Sequence, residues 1–194
     1  MNRALVPALL LSALFATPSL AALNEGDKAP DFSAQASLAG KAFNYTFKDA
    51  LKKGPVVVYF YPSAFTGGCN LQAHTFAENI DKFAAAGATV IGVSLDSIGR
   101  LNAFSADPEY CAGKVAVASD PDGKIARSFD LAVVDTPAGR KDSKGNDIDH
   151  GRVDRVTYVI KPDGKVAATI GGVAPVANVE KALETVTRLA SARR

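Results

Sequence analysis

Cys69 closes the stretch Pro62-Ser63-Ala64-Phe65-Thr66-Gly67-Gly68-Cys69, which follows the apolar run Pro55 to Tyr61 and leads into a helical pattern. A cysteine where a strand hands over to a helix lies among the unpaired N–H groups of the first helical turn. Those groups and the helix dipole favour the thiolate, which is the reactive form. Gly67 and Gly68 strip side chains from the approach and leave two peptide N–H groups bare. The other cysteine, Cys111, lies far downstream, so this is neither a CxxC redox pair nor a zinc knuckle. A free thiol titrates near ~8.5, and keeping one mostly ionised at neutral pH takes roughly 3 kcal/mol of differential stabilisation. A helix terminus supplies up to about 2 kcal/mol. The chemistry therefore calls for a positive side chain as well.

The elements that must hold this thiol can be read from the pattern of apolar residues. Residues 55–61 are continuously apolar and rich in β-formers, as expected of a central strand buried on both faces. Thr66 is placed to cap the next helix, whose apolar positions Phe76, Ile80 and Phe83 share one side, and Gly87 ends it. Residues 88–95 read as a second buried strand, followed by a short helix with Ile98, Leu101 and Phe104. Residues 114–118 read as a third strand, followed by a turn at Asp120 to Gly123 and a helix with Ile125 and Phe129. Asp31 to Ala36 and Phe43 to Phe47 form a short hairpin, and residues 156–160 and 166–170 form another through Pro162-Asp163-Gly164. A final helix carries Val176, Val179, Leu183, Val186 and Ala190 on one stripe. Strands alternating with helices predict an α/β sandwich with helices on both faces. Residues 135–152 read as a polar surface loop, and Gly171-Gly172 as a turn.

The N-terminus has the form of a secretory signal peptide: Arg3, an apolar stretch from Ala4 to Ala16 broken by Ser12, and small residues at Ser19 and Ala21. The expected division is a signal peptide over residues 1–21 and one domain over 22–194, exported and, in a bacterium, periplasmic. Losing Arg3 leaves 21 basic against 20 acidic residues. That near-neutral balance argues against nucleic acid or an anionic membrane as partner. An exported protein also permits a disulfide between its two cysteines. His74 and His150 lack the acidic or thiol neighbours of a metal site and read as exposed or locally satisfied. Tyr61 fits either a pocket wall or the core.

The pattern Pro-x-x-x-Thr-x-x-Cys at Pro62, Thr66 and Cys69, with Arg155-Val156-Thr157-Tyr158-Val159-Ile160 downstream, resembles the peroxiredoxins, and most closely their bacterioferritin-comigratory or peroxiredoxin Q branch. The resemblance runs from about Gly26 to the C-terminal helix. It implies a thioredoxin-like fold with a central mixed sheet, and a thiol peroxidase needing no cofactor or metal. Its substrates would be hydrogen peroxide and organic hydroperoxides, with a thioredoxin-like protein or small thiol as reductant, and it would be a monomer or weak homodimer. Cys69 would be the peroxidatic thiol. Thr66 would hydrogen-bond the peroxide, Pro62 would shield the thiolate, and Arg155, otherwise free to pair with Asp154 at the surface, would supply the positive charge. In that branch a resolving cysteine lies five residues on, where this chain has His74, or on the following helix, near which Cys111 falls. The alternatives are a single-cysteine enzyme and, in another functional class, a peroxide-responsive thiol sensor with slow turnover.

Overall fold

The computed structural model describes residues 22–192. The expected signal peptide, residues 1–21, lies outside them. In chain order the elements are β1 (Ser33–Leu38), β2 (Lys41–Thr46), α1 (Phe47–Leu51), β3 (Val56–Phe60), α2 (Gly67–Ala85), β4 (Thr89–Ser94), α3 (Ile98–Ala106), β5 (Ala116–Ser119) and α4 (Lys124–Ser128). There follow β6 (Val133–Val134), β7 (Arg152–Val153), β8 (Val156–Ile160), β9 (Val166–Gly171) and α5 (Pro175–Ser191). Seven strands form one sheet in the order β2-β1-β5-β4-β3-β8-β9, and β6 and β7 form a separate two-stranded ribbon. The sheet is mixed: β3, β4 and β5 run parallel, while β8 pairs antiparallel with β3, and β1 with β5. This is the thioredoxin-like architecture.

Every residue of β3 is buried, because the strand lies between two cores. Val57, Tyr59 and Tyr61 face one core with α2, α3 and α5, while Val56, Val58 and Phe60 face the other with Phe47 of α1 and Ala126 of α4. Alternation along a strand buried on both sides is why the sequence reads there as one unbroken apolar run. On α2, Ala73, Phe76, Ala77 and Phe83 are buried, and Gly87 ends the helix region with φ +74°. On α5, Pro175 occupies the first turn, where its missing N–H costs nothing, and Val179, Ala182 and Val186 face inward.

Two local readings change. Phe47, expected to end a strand, opens α1, and its ring stacks on Phe32 at 5.1 Å in the second core. Five residues are too few for periodicity to declare a helix. The 135–152 segment is not a free surface loop, since β6 and β7 close it as a ribbon and it packs back on the Pro62–Cys69 stretch. Cys111 lies beyond the end of α3, in a tight turn where Ala112 N–H bonds the Asp107 carbonyl and Ala112 and Gly113 take φ +52° and +68°.

Gly92, in the middle of β4, shows how closely the first core is packed. A Cβ there would sit 2.5 Å from Tyr59 Cζ and 2.6 Å from its hydroxyl, and the ring is held by Phe76 at 4.5 Å and Tyr61 at 5.4 Å. Gly92→Ala should therefore cost about 3 kcal/mol by overpacking. Urea denaturation measures this, and an unchanged midpoint would show that the Tyr59 ring can yield.

Candidate functional site

The antiparallel register of β3 and β8 sets the site. Phe60 pairs with Val156, so the chain leaving β3 toward Pro62 and the chain entering β8 from Arg155 meet at one end of the sheet. There Arg155 Nη2 lies 3.5 Å from Cys69 Sγ, with Cys69 only 3% exposed. The two groups that sequence reasoning wanted together are together.

Backbone conformation at the start of α2 keeps the approach open. Thr66 holds the N-cap position, but its hydroxyl donates to the Ser63 carbonyl at 2.7 Å rather than accepting from the helix. The Thr66 carbonyl takes the N–H groups of Cys69 and Asn70 at 2.9 and 2.8 Å. Among the described residues, the Gly67 and Gly68 N–H groups find no acceptor in the protein. The Cys69 N–H, which a helix start would also leave bare, is thus already committed. Phe65 takes φ +59°, a region costly for a bulky side chain, and its ring is wedged at 5.1 Å from Phe104 and 5.8 Å from Tyr110. Pro62, Ser63 and Thr66 line a recess of about 30 Å³ with Thr136, Arg140, Ile148 and Arg152.

Two residues that the sequence reading passed over fix the guanidinium. Arg155 Nη1 donates to Gln72 Oε1, Gln72 Nε2 donates to Asn178 Oδ1 at 2.8 Å, and Asn178 Nδ2 donates to the Ile170 carbonyl at 2.9 Å. Thr157 adds a second hydrogen bond to Asn178 Oδ1 at 2.5 Å. Gln72, Asn178 and Thr157 are fully buried. Each amide is held at both ends, so neither can flip without losing bonds in a dry interior. The only sequence signal was a polar residue on the inward face of each of two amphipathic helices. Gln72 lies one helical turn after Cys69, and Asn178 next to Val179.

Cys111 is fully buried in the same core as Cys69, and both thiols are free. Burial first, and then the nearby Asp107 carboxylate, push the Cys111 thiol well up from its ordinary value. His74 is exposed and bonded to the Glu109 carbonyl and Glu78, as read from sequence. His150 is satisfied locally at one nitrogen, Nδ1 meeting the Gly151 carbonyl at 2.7 Å, but not at the other. Its Nε2 meets Asp96, on the far side of the sequence, at 2.9 Å. Tyr61 belongs to the core.

The fold is thioredoxin-like, with a buried cysteine and an arginine brought together at the open start of a helix, and comparison with known proteins gives the family. The family model described as AhpC/TSA family matches residues 25–169, and the chain belongs to that family, the peroxiredoxins, which are thiol peroxidases. It is 33% identical over 144 residues to peroxiredoxin Bcp of Escherichia coli K12, covering 74% of this chain and 83% of that one. The crystal structure of peroxidoxin BcpB from Mycobacterium tuberculosis superposes with a TM-score of 0.70 at 28% identity, over 85% of this chain and 97% of that one. Peroxiredoxin Q of Xanthomonas campestris gives a TM-score of 0.63 at 26% identity, over 80% and 90%.

Gly68 offers a clean test of the Arg155–Cys69 contact. A Cβ on Gly68 would lie 3.0 Å from Arg155 Nη2, whereas one on Gly67 meets nothing within 4 Å. Gly68→Ala should push the guanidinium off the thiol and slow alkylation of Cys69 at neutral pH about tenfold, the value of roughly 1.4 kcal/mol of lost charge pairing. Gly67→Ala should leave the rate near wild type. Equal rates in the two variants would mean that Arg155 does not activate Cys69.

Proposed function

We propose that the protein reduces hydrogen peroxide and organic hydroperoxides at Cys69. The Arg155 Nη2 contact with Cys69 Sγ at the open start of α2 carries this reading. The thiolate attacks the terminal oxygen of the hydroperoxide. The S–O bond forms as the O–O bond breaks, giving Cys69 sulfenic acid and an alkoxide or hydroxide that takes a proton from solvent. The Thr66 hydroxyl, donating to Ser63, keeps lone pairs to accept the hydroperoxide O–H. Arg155 and the Gly67 and Gly68 N–H groups face the negative charge that builds on the departing oxygen, and such preaimed donors lower the barrier most where water is excluded. Pro62 brings no N–H to compete there. A solved structure of the Xanthomonas bacterioferritin comigratory protein is titled for alkyl peroxide reduction, which supports the same substrate class here.

Cys111 resolves the sulfenic acid in this proposal. As a buried thiol held protonated it is a poor nucleophile in place. A disulfide also needs Cα atoms within about 7 Å. In this proposal the Cys111 turn and the first turn of α2 open to let the thiols meet, a step that costs about 1 kcal/mol for each hydrogen bond released. An external thiol then reduces the disulfide. Export with cleavage after Ala21 completes the proposal, and it rests on the N-terminal sequence alone.

Cys69→Ser should abolish peroxide consumption, and more than a few per cent of residual activity would sink the assignment. Arg155→Met should slow the oxidation step at least tenfold without changing the product. For Cys111, mass spectrometry after one equivalent of hydrogen peroxide should find a Cys69–Cys111 peptide and a mature N-terminus at Ala22. Cys111→Ser should keep the fast first oxidation but accumulate sulfinic acid. Normal turnover of that variant, with no such peptide in wild type, would make this a single-cysteine enzyme. Stoichiometric oxidation without steady-state consumption under any thiol donor would favour a sensor.

A further inference from the structure

Asp96, between β4 and α3, is a fully buried carboxylate that the thiol chemistry above does not use. Its Oδ2 accepts the Ala64 N–H at 2.8 Å and the Ser94 hydroxyl at 2.7 Å. Its Oδ1 accepts Arg100 Nε at 2.7 Å, His150 Nε2 at 2.9 Å and the Ser63 hydroxyl at 3.2 Å. Arg100 Nη2 reaches on to the Ala64 carbonyl at 2.9 Å and to Asp142 Oδ2 at 2.8 Å. Asp142 in turn collects the N–H groups of Lys144 and Asn146 at 2.8 and 2.9 Å.

Two side chains of this cluster, Asp96 and Asp142, are carboxylates with no exposed surface, and Arg100 is the one guanidinium between them. The group closes to neutral only when His150 is an imidazolium. Hydrogen-bond geometry asks for the same state: Nε2 faces the Asp96 carboxylate and Nδ1 faces the Gly151 carbonyl at 2.7 Å. Both are acceptors, so a neutral ring would leave one nitrogen lone pair against an oxygen. The groups that act on His150 are Asp96 from the β4–α3 loop, Arg100 from α3, and the Gly151 carbonyl beside it, with Asp142 of its own ribbon behind Arg100.

The same ribbon grips the thiol segment on both sides of Cys69. Ser143 N–H bonds the Phe65 carbonyl at 2.8 Å, Lys144 Nζ lies 4.3 Å from the Phe65 ring centroid, and Ser143 Oγ accepts from Asn70 Nδ2 at 3.4 Å. Together with the Asp96 bonds to Ser63 and Ala64, these contacts hold the chain at every residue from Ser63 to Phe65, where Phe65 carries its left-handed backbone.

We propose that His150 is a positioning residue for Cys69: as an imidazolium it locks Asp96 and the 142–151 ribbon onto Ser63, Ala64 and Phe65, and losing its proton loosens that clasp and slows the reaction of the thiol. This rests on the peroxidase reading of Cys69. Burial pulls the imidazolium down, but the Asp96 hydrogen bond and charge, with the Gly151 carbonyl, outweigh it and raise His150 above the ordinary value near ~6.5. A raised value means the clasp is complete below the ordinary histidine range and is lost as pH rises through the raised one.

The test uses the wild-type protein between pH 5 and 9. NMR follows the two histidines, with His74→Gln to assign them and to serve as a control that leaves activity unchanged. Stopped flow follows Cys69 oxidation by hydrogen peroxide, and hydrogen exchange gives the protection factor of the Ala64 amide. We expect His150 to titrate above the ordinary histidine value, and the Ala64 protection factor to fall over the same pH interval. The oxidation rate, normalised to the rate of thiol alkylation by iodoacetamide, should fall about tenfold there, the scale of a misplaced reacting group. His150→Gln should show the lower rate at pH 6 and no such fall. His150 losing its proton in wild type with the protection factor and normalised rate both flat overturns the proposal, whether or not the variant folds. A protection factor that falls with His150 in a protein that consumes no peroxide upholds the clasp and refutes the peroxidase reading instead.

Discussion

The contact between Arg155 and Cys69 is what the rest of the site exists to maintain. A guanidinium held out of water loses hydration, and its contacts repay that loss only if its remaining donors are met. The Gln72–Asn178–Thr157 relay meets them. It draws on α2, α5 and β8 and ends on a main-chain carbonyl of β9, so the guanidinium is anchored to two helices and two strands at once. The antiparallel β3–β8 register is the prior constraint. Were β8 shifted by one residue, Arg155 would point to the opposite face and the relay would have no cation to hold.

That division explains what the sequence made legible. Local physics announced β3, the α2 start, Cys69 and the α5 stripe, because apolar periodicity and helix-start chemistry are written over a few neighbouring residues. Arg155 could be named as a cation at the head of a strand, and its resemblance to a family motif turned that into a position. Gln72 and Asn178 look in sequence like ordinary polar residues on amphipathic helices. Their role comes from meeting across elements remote in sequence, and no local pattern encodes that. The same holds for Asp96 and His150, each of which reads as a loop residue until the fold sets them 2.9 Å apart. α1 escaped for a plainer reason, being a single turn whose one buried residue, Phe47, suits a strand equally well.

Thr66 shows how a position can be read correctly and its bonding wrongly. The backbone is that of an N-cap, but the hydroxyl turns back to Ser63. A conventional cap would have spent the hydroxyl oxygen on a helix N–H and lowered the donor count of the helix start. Here the cap energy, typically about 1 kcal/mol, is forgone, and the Gly67 and Gly68 N–H groups stay available for an anionic oxygen. The glycines serve the same end, since Gly68 must lack a Cβ for Arg155 to lie where it does.

The two cysteines then pose opposing demands on one segment. The proposed reaction with peroxide would need Ser63 to Asn70 held still, and the 142–151 ribbon contacts this segment from outside while Phe104 and Tyr110 wedge the Phe65 ring from within. The proposed Cys69–Cys111 bond would draw on that same wedge, because Tyr110 is the neighbour of Cys111 and the Phe65 ring sits against it. Lys144 ties the halves together, with its ammonium 2.7 Å from Asp107 on the Cys111 side and over the Phe65 ring on the Cys69 side. These ties are individually weak: an exposed ion pair is worth about 0–1 kcal/mol and a cation–π contact about 0.5–1. Contacts of that size can hold a loop in register during a fast encounter and still give way in a slower step. In the proposed mechanism the covalent change at Cys69 alters the sulfur that faces Arg155 at 3.5 Å, and with it the contact that holds the segment closed.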